Sequence, residues 1–78
     1  MMEQLHREII ALMIRRRSAL TMQQIEKSIL GYKSHLIENA LNLMVIDGIL
    51  QYDMSHKERV YYQMTLAGYN AYQTSESA

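Results

Sequence analysis

The polar side chains best suited to recognising a partner gather in one segment of this chain, a predicted helix over residues 34–46. At about 100° per residue, four of them lie on one side of that helix. These four, called here the polar strip, are His35, Glu38, Asn39 and Asn42. Together an imidazole, a carboxylate and two amides can donate and accept hydrogen bonds. The strip contains no nucleophile beside a general base, so its chemistry is recognition rather than covalent catalysis.

Elsewhere the residues that could support catalysis or bind a metal are dispersed. There is no glycine-rich loop of the kind that cradles a phosphate and no pair of acids on one framework position. The three histidines, His6, His35 and His56, fall on separate predicted elements, and the chain has no cysteine. A metal needs several such ligands close together. We therefore expect no enzymatic activity, no metal site and no cofactor.

Charge is unevenly distributed, although the eight basic and eight acidic residues cancel to a net charge of zero. Residues 15–35 carry five cations against Glu26 alone, whereas residues 38–53 carry only acids. Lys57 and Arg59 add a second basic spot. Binding to nucleic acid usually depends on neutralising phosphates, so the local excess matters more than the total. The alternative is that these are ordinary solvated surface charges.

Length and composition favour one small cytoplasmic domain. Seventy-eight residues suffice for a single core, and the absence of cysteine excludes disulfides. The longest apolar run, residues 9–14, is too short to span a membrane. It also precedes Arg15–Arg17, whereas a secretory signal carries its positive charge first. We expect the domain to occupy residues 1–73 and residues 74–78 to form a flexible C-terminal tail.

The first predicted helix, residues 2–16, has an unusually broad apolar surface. Its apolar arc is roughly 200° wide, where a surface helix commonly shows little more than about 100°. Ile10 and Ile14 account for the extra width, because they extend the face sideways. Either this helix is central to the core, or Ile10 and Ile14 contact a second subunit. The sequence leaves both open.

The remaining elements follow from caps and periodicity. Thr21 and Gln24 form a capping-box pattern that starts a second helix, and the segment 30–32 with its glycine ends it. The third helix, residues 34–46, stops before Asp47-Gly48. Segments 49–53 and 59–64 alternate with period two and are too close for a parallel crossover, so they form a β-hairpin. Thr65 is a plausible N-cap for a last short helix.

This order of elements resembles the winged helix-turn-helix regulators of bacteria and archaea, in the style of the MarR and PadR families. The resemblance rests on three segments and covers nearly the whole chain, from about residue 2 to 72. The segments are Leu20-Thr21-Met22-Gln23-Gln24-Ile25, the spaced apolar residues 37–44 before Asp47-Gly48-Ile49-Leu50, and Tyr62-Gln63-Met64-Thr65-Leu66-Ala67-Gly68. It implies an α+β fold with a three-helix core, a hairpin wing and a short C-terminal helix.

The resemblance further implies a small DNA-binding transcriptional regulator. The third helix would enter the major groove of double-stranded DNA, where an asparagine amide can read adenine. The helix start would grip a phosphate, and the wing would reach an adjacent minor groove or its phosphates. The residues implied to contact DNA are Lys33, Ser34, His35, Glu38, Asn39, Asn42, His56, Lys57 and Arg59. Glu38 departs from the cationic residues that such helices often carry.

A domain this small would cover little DNA alone, so we expect a homodimer on paired half-sites. The candidate dimer contacts are Ile10, Ile14, Leu43, Ile46, Tyr69 and Tyr72. A competing hypothesis is a winged-helix module that binds another protein, as an adaptor or antagonist, without binding DNA on its own. The zero net charge, Glu38 and the surplus of apolar side chains favour that second hypothesis.

Overall fold

Four helices and three short strands make up the fold. The computed structural model describes residues 3–77, with side chains described as far as Gln73. Along the chain the elements are α1 (Gln4–Arg16), β1 (Leu20–Thr21), α2 (Met22–Ser28), α3 (Ser34–Ile46), β2 (Leu50–Asp53), β3 (Tyr61–Met64) and α4 (Leu66–Ser77). The predicted α+β order of a helix pair, a third helix, a hairpin and a final helix is confirmed. The predicted helix start at Met2 lies outside the described residues.

α1 is the central helix of the core. Ile9 and Ile10 are both 0% exposed, and three more of its side chains, Leu5, Leu12 and Met13, are buried with them. The prediction that Ile10 contacts a second subunit is therefore wrong, because the folded domain already covers the side chain completely. The alternative explanation of the broad apolar arc, a helix packed on more than one side, is confirmed.

The second helix begins with a side-chain cap, as predicted. Thr21 and Gln24 form the predicted capping box: the Gln24 N–H donates to Thr21 Oγ1 at 3.2 Å, and the Thr21 N–H donates to Gln24 Oε1 at 2.9 Å. α2 ends at Ser28, slightly before the predicted break. Gly31 then adopts a φ of 92°, which favours glycine and redirects the chain into α3.

The sheet has the strand order β1-β3-β2, so β3 is central. The hairpin of β2 and β3 is antiparallel, as predicted, with Leu50 opposite Met64 and Tyr52 opposite Tyr62. The sequence did not predict β1 (Leu20–Thr21) as a strand. This short strand pairs Leu20 with Tyr62. Two residues are too few to show an alternating pattern, so only the pairing with β3 reveals the strand.

A single junction ties α3, the hairpin and α4 together. The Ile49 N–H donates to Met44 O at 2.9 Å, and the Thr65 N–H donates to Ile49 O at 3.0 Å. The Thr65 hydroxyl lies within hydrogen-bonding reach of the Gly48 and Ile49 carbonyl oxygens. It also accepts from the Gly68 N–H at 2.9 Å, which makes Thr65 the N-cap predicted for α4. The end of α3 therefore sets the position of both following elements.

The end of the chain is more helical than predicted. α4 continues to Ser77, whereas the sequence predicts a domain ending at residue 73 and a flexible tail over 74–78. Ala78 lies outside the described residues, and the flexibility of the tail stays a prediction. None of the helices in residues 3–77 is both long enough and apolar enough to cross a membrane.

Arg17, which ends α1, has an unusual backbone conformation. Its φ of 54° and ψ of 34° place it in the left-handed helical region, and its N–H closes the helix by donating to Met13 O at 2.9 Å. Helices commonly end in this way on glycine, since a side chain in this region costs about 1 kcal/mol or more. The sequence therefore retains a long cationic residue at a position that favours glycine.

Gly68→Ala tests the junction. A Cβ at position 68 would fall onto the Ile49 carbonyl oxygen and within 2.8 Å of the Ile49 Cα, both of them backbone atoms that cannot move aside cheaply. We expect the free energy of unfolding to fall by about 2–3 kcal/mol, measured by chemical denaturation. The control is Gly31→Ala, where a Cβ meets nothing within 4 Å and only the positive φ opposes it, for a loss of about 1 kcal/mol. Equal losses of stability in the two variants would show that the backbone shifts to relieve the close approach at position 68.

Candidate nucleic-acid interface

The polar strip of α3 is exposed to solvent. Its opposite face is buried: Ile37, Ala40, Leu41 and Met44 all lie in the core. All four strip residues are exposed, so the predicted division of the helix into a buried and a polar face is confirmed at these positions. Two apolar residues depart from the prediction. Helical periodicity places Leu36 and Leu43 on the apolar arc of α3, yet they are 43% and 51% exposed.

The strip is bordered differently on its two sides. Asn39 faces the start of α1, where it lines a groove of about 340 Å³ together with His6, Leu36 and Leu43. Glu38 lies on the side of the sheet. Burial raises the pKa of Tyr62 most, followed by the neighbouring Tyr52, and the charge of Glu38 raises it further. The strip therefore runs between an apolar groove and the aromatic residues of the hairpin.

The start of α3 is open toward solvent. Lys33 is the N-cap residue, with an extended backbone and no side-chain hydrogen bond capping the helix. Its carbonyl accepts from the N–H groups of Leu36 and Ile37 at 3.0 and 3.2 Å. The N–H groups of Ser34 and His35 have no intrahelical acceptor, and the first turn contains no acid. The exposed side chains of Lys33 and Ser34 add a charge and a hydroxyl beside them.

The hairpin loop is ordered by two local contacts. The Asp53 carboxylate accepts from the Ser55 hydroxyl at 2.6 Å and from the Ser55 N–H at 3.0 Å. Beyond it, the His56 ring packs against Tyr61 with their centroids 4.4 Å apart. These contacts fold the loop back onto the strand end. Lys57 and Arg59 remain exposed, and neither forms an ion pair with a residue whose side chain the structure describes.

An exposed tyrosine on the hairpin was not foreseen as part of the site. Tyr52 is 46% exposed, and its ring packs against that of Tyr62 at a centroid distance of 5.4 Å. The charge of Glu38 contributes to the raised pKa of Tyr62, after burial and Tyr52. The alternation of the hairpin predicted that Tyr52 and Tyr62 share a face. Tertiary packing decides which of the two tyrosines remains exposed, so the sequence alone could not predict it.

The arginine run does not join this surface. Arg16 donates from its guanidinium to the Ser28 hydroxyl of α2 at 3.3 Å. Arg15 and Arg17 line a separate cleft beside β3 and α4. His6, which borders the strip's groove, and Arg15 are separated along α1 by about two and a half turns, or about 14 Å. Arg15 and Arg17 therefore lie apart from the groove that borders the strip.

The predicted dimer residues differ widely in their exposure to solvent. Leu43, Ile46 and Tyr69 are exposed, with Ile46 the most open at 78%. Ile14 and Tyr72 are half-buried against the core cluster, and Ile10 is inaccessible. Five of the six predicted residues thus retain some accessible surface.

Comparisons of the sequence with models of protein families and with curated proteins find no match. Two solved structures, however, superpose on this one. A structure described as a possible HxlR family transcriptional factor from Thermoplasma volcanium GSS1 matches with a TM-score of 0.79 and 17% identity, over 92% of this chain and 64% of its own. A regulator assigned to the MarR family from Enterococcus faecalis V583 matches with a TM-score of 0.73 and 21% identity, over 87% of this chain and 64% of its own.

The chain has a winged helix-turn-helix fold. α2 and α3 form the helix-turn-helix, and the β2–β3 hairpin with its loop forms the wing. The chain spans 64% of the length of each of these two structures. At these identities the likeness establishes the fold, and the chemistry of the site must be argued from the residues of this chain.

The Asp53–Ser55 turn predicts a pH dependence of the wing. Hydrogen bonds from the Ser55 hydroxyl, then from the Ser55 N–H, and the nearby His56 hold the pKa of Asp53 below its ordinary value of 3.8. Because the folded pKa is lowered, the stabilising effect is present above the ordinary pKa and is lost as the pH falls through the lowered one. We expect the Ser55 amide resonance to titrate below pH 3.8. Ser55→Ala should raise that midpoint, and an unchanged midpoint would contradict the assignment.

Proposed function

We propose that this protein is a DNA-binding transcriptional regulator that places α3 in the major groove and the wing against the neighbouring backbone or minor groove. The observation that carries the proposal is the exposed polar strip on the second helix of a helix-turn-helix. A helix with one face buried in the core and a row of hydrogen-bonding side chains on the other is suited to reading base edges. Such a regulator would act in the cytoplasm, where its DNA lies.

Base recognition would come from the amides of the strip. Asn39 and Asn42 are both exposed, and an asparagine can pair with adenine through two hydrogen bonds at once. Glu38 can accept from the amino group of cytosine, and His35 lies one turn before Asn39. These side chains predict a target that contains an adenine in each half-site and a cytosine where Glu38 contacts the bases.

Phosphate contacts would come from both ends of the surface. The uncapped N-terminus of α3 offers backbone N–H groups beside Lys33 and Ser34, an arrangement that suits a phosphate oxygen. On the wing, Lys57 and Arg59 are exposed and form no ion pair with other described side chains, and His56 lies next to them. Contacts of this kind set the position of a protein on DNA and supply much of its affinity.

A homodimer would supply the remaining affinity. Two copies on half-sites about 34 Å apart would double the contacts of a single small domain. Leu43, Ile46 and Tyr69 are exposed apolar or aromatic residues available for such a contact, and Ile14 and Tyr72 are half-exposed. Burying these residues between subunits would remove apolar surface from water.

Salt-dependent DNA binding tests the proposal. Duplexes selected from a random pool should bind with an affinity that falls with salt, because phosphate contacts release counterions. Lys33→Ala and Lys57→Ala should each lower the slope of log affinity against log salt by about 1, on all sequences alike. Asn39→Ala should cost about 1–3 kcal/mol of binding and relax the preference at one base. Fluorescence anisotropy measures each.

The matched control is Arg17→Gln, which removes one positive charge at the far end of α1 and should leave the slope nearly unchanged. Absence of binding at low salt, or an affinity independent of salt, would contradict the proposal that this protein binds DNA. An equal loss in the control would show that only the total charge matters.

A second function, binding of a protein partner, is favoured by one specific observation. Leu36, Leu43 and Ile46 are exposed around the polar strip, and the first two line the groove beside α1. Apolar side chains at this place are more typical of a protein interface than of a DNA-binding surface. In this alternative the module would act as an adaptor or antagonist of a larger regulator.

Variants of opposite chemistry separate the two functions. If DNA is the partner, Lys33→Ala, Asn39→Ala and Lys57→Ala impair regulation in a reporter assay, since each removes a contact to the duplex. If a protein is the partner, these three changes have little effect while Ile46→Asp abolishes activity. Ile46→Leu is the control for Ile46→Asp, because it keeps an exposed apolar side chain at the same position. Circular dichroism confirms that each variant is folded.

A further inference from the structure

The wing carries three exposed apolar or aromatic side chains, called here the wing patch. Its members are Tyr52, Met54 and Val60, which are 46%, 72% and 42% exposed. Tyr52 and Tyr62 are paired across the hairpin. Met54 lies two residues after Tyr52 and Val60 two residues before Tyr62, so the alternation of the strands places the patch on one face. None of its members is among the candidate dimer contacts, and Met54 is the most open of the three.

The backbone on both sides of Met54 is held in place by contacts within the loop. The Asp53 carboxylate accepts from the hydroxyl and the N–H of Ser55, and these two hydrogen bonds span Met54. The His56 ring packs on Tyr61 with the centroids 4.4 Å apart, which draws the following part of the loop back toward β3. Met54 is therefore left uncovered on an ordered loop. A side chain presented in this way loses little backbone freedom when it binds a partner.

The charges around Met54 favour an anionic partner. Residues 54–60 carry Lys57 and Arg59 against Glu58, which leaves one net positive charge with the histidine neutral. Both cations are exposed. An exposed apolar side chain close to two cations is complementary to a groove with charged edges and an apolar interior. The minor groove of DNA has this character, because phosphates border it and apolar side chains can enter between its stacked bases.

The wing patch lies on the side of the hairpin that faces α3. α3 and β2 pack against each other. Burial and then Tyr52 raise the pKa of Tyr62, and the charge of Glu38 raises it further, so the polar strip lies within electrostatic reach of this face of the hairpin. A duplex bound along the strip would therefore be approached by the face of the hairpin that carries the patch.

We propose that Met54 inserts between two base pairs in the minor groove and bends the DNA. This inference rests on the proposed binding of DNA by α3 and adds a second activity to it. Apolar side chains that enter the minor groove, methionine among them, unstack a base step and kink the duplex by about 20–90°. The unbranched thioether adapts to the opened step, while Lys57 and Arg59 contact the phosphates beside it. Pyrimidine–purine steps unstack most easily, so we expect one at the place where the wing binds.

The bend is measured on a duplex selected from a random pool and labelled at its two ends with a donor and an acceptor dye. Energy transfer between the dyes reports the bend, and anisotropy reports the affinity for the same duplex. We expect the unchanged protein to bend it by about 20° or more. Met54→Gln should leave it nearly straight, because a polar side chain of similar length is disfavoured between the bases. The dependence of affinity on salt should stay the same, since no charge is removed.

Two variants are the matched controls for Met54→Gln. Met54→Leu keeps an apolar side chain and should retain the bend. Lys57→Ala should lower the salt slope by about 1 and retain the bend, because it removes a phosphate contact and leaves the inserted side chain. Met54 is exposed, so its replacements should leave the melting temperature unchanged.

Mismatched duplexes test the unstacking itself. A mismatch at the step opened by Met54 lowers the cost of unstacking. When mismatches are placed in turn along the selected site, one position should bind the unchanged protein about tenfold more tightly than the matched duplex. For Met54→Gln the same position should give a difference of less than about twofold. An equal gain in both proteins would contradict insertion of Met54.

The outcomes separate this inference from the function on which it rests. A complex that forms at low salt but stays straight would overturn the bending and leave DNA recognition by α3 intact. A full bend with Met54→Gln would also refute the role of Met54. If no duplex binds, the proposed function and the bending fail together. Loss of regulation by Met54→Gln in the reporter assay with the bend unchanged would show that the wing patch contacts a protein, and would equally refute insertion.

Discussion

The packing of α3 against α1 and the sheet is the interaction on which the rest of this domain depends. Ile37, Leu41 and Met44 are completely or almost completely buried, and they share one core with Ile9 and Ile10 of α1. In a chain of 78 residues no second core is available to hold α3 in place. Because one face of the helix is fixed in this way, the opposite face presents its polar side chains in a defined direction.

Hydrogen bonds at the end of α3, from the backbone and from the Thr65 hydroxyl, position the base of the wing relative to α3. The Ile49 N–H returns to Met44 of α3, and Thr65 closes the other end of the hairpin against the same segment. Gly68 lets α4 approach the Ile49 backbone more closely than any side chain would allow. The base of the wing is therefore attached directly to the end of α3.

The candidate site shows how much of its surface can be predicted from residue types and spacing. The polar face of α3 was predictable, because helical periodicity assigns residues to faces without knowledge of the partner elements. The contribution of Leu36 and Leu43 was not, since they lie at the border of the apolar arc and α1 covers only part of that border. The arginine run was equally ambiguous. Its three members point to two different places, and the αL conformation of Arg17 helps to set them apart.

The sequence by itself determined the local elements: the capping box at Thr21, the extent of α3, the hairpin and the Thr65 cap all follow from interactions between residues close in the chain. Only the tertiary structure decided that Ile10 is buried, that Leu20 pairs with Tyr62 as a third strand, and that two arginines share a cleft with Met64. The physical reason is the range of the interactions. Periodicity and caps act over a few residues, whereas burial and clefts arise from segments that meet only after the chain has folded.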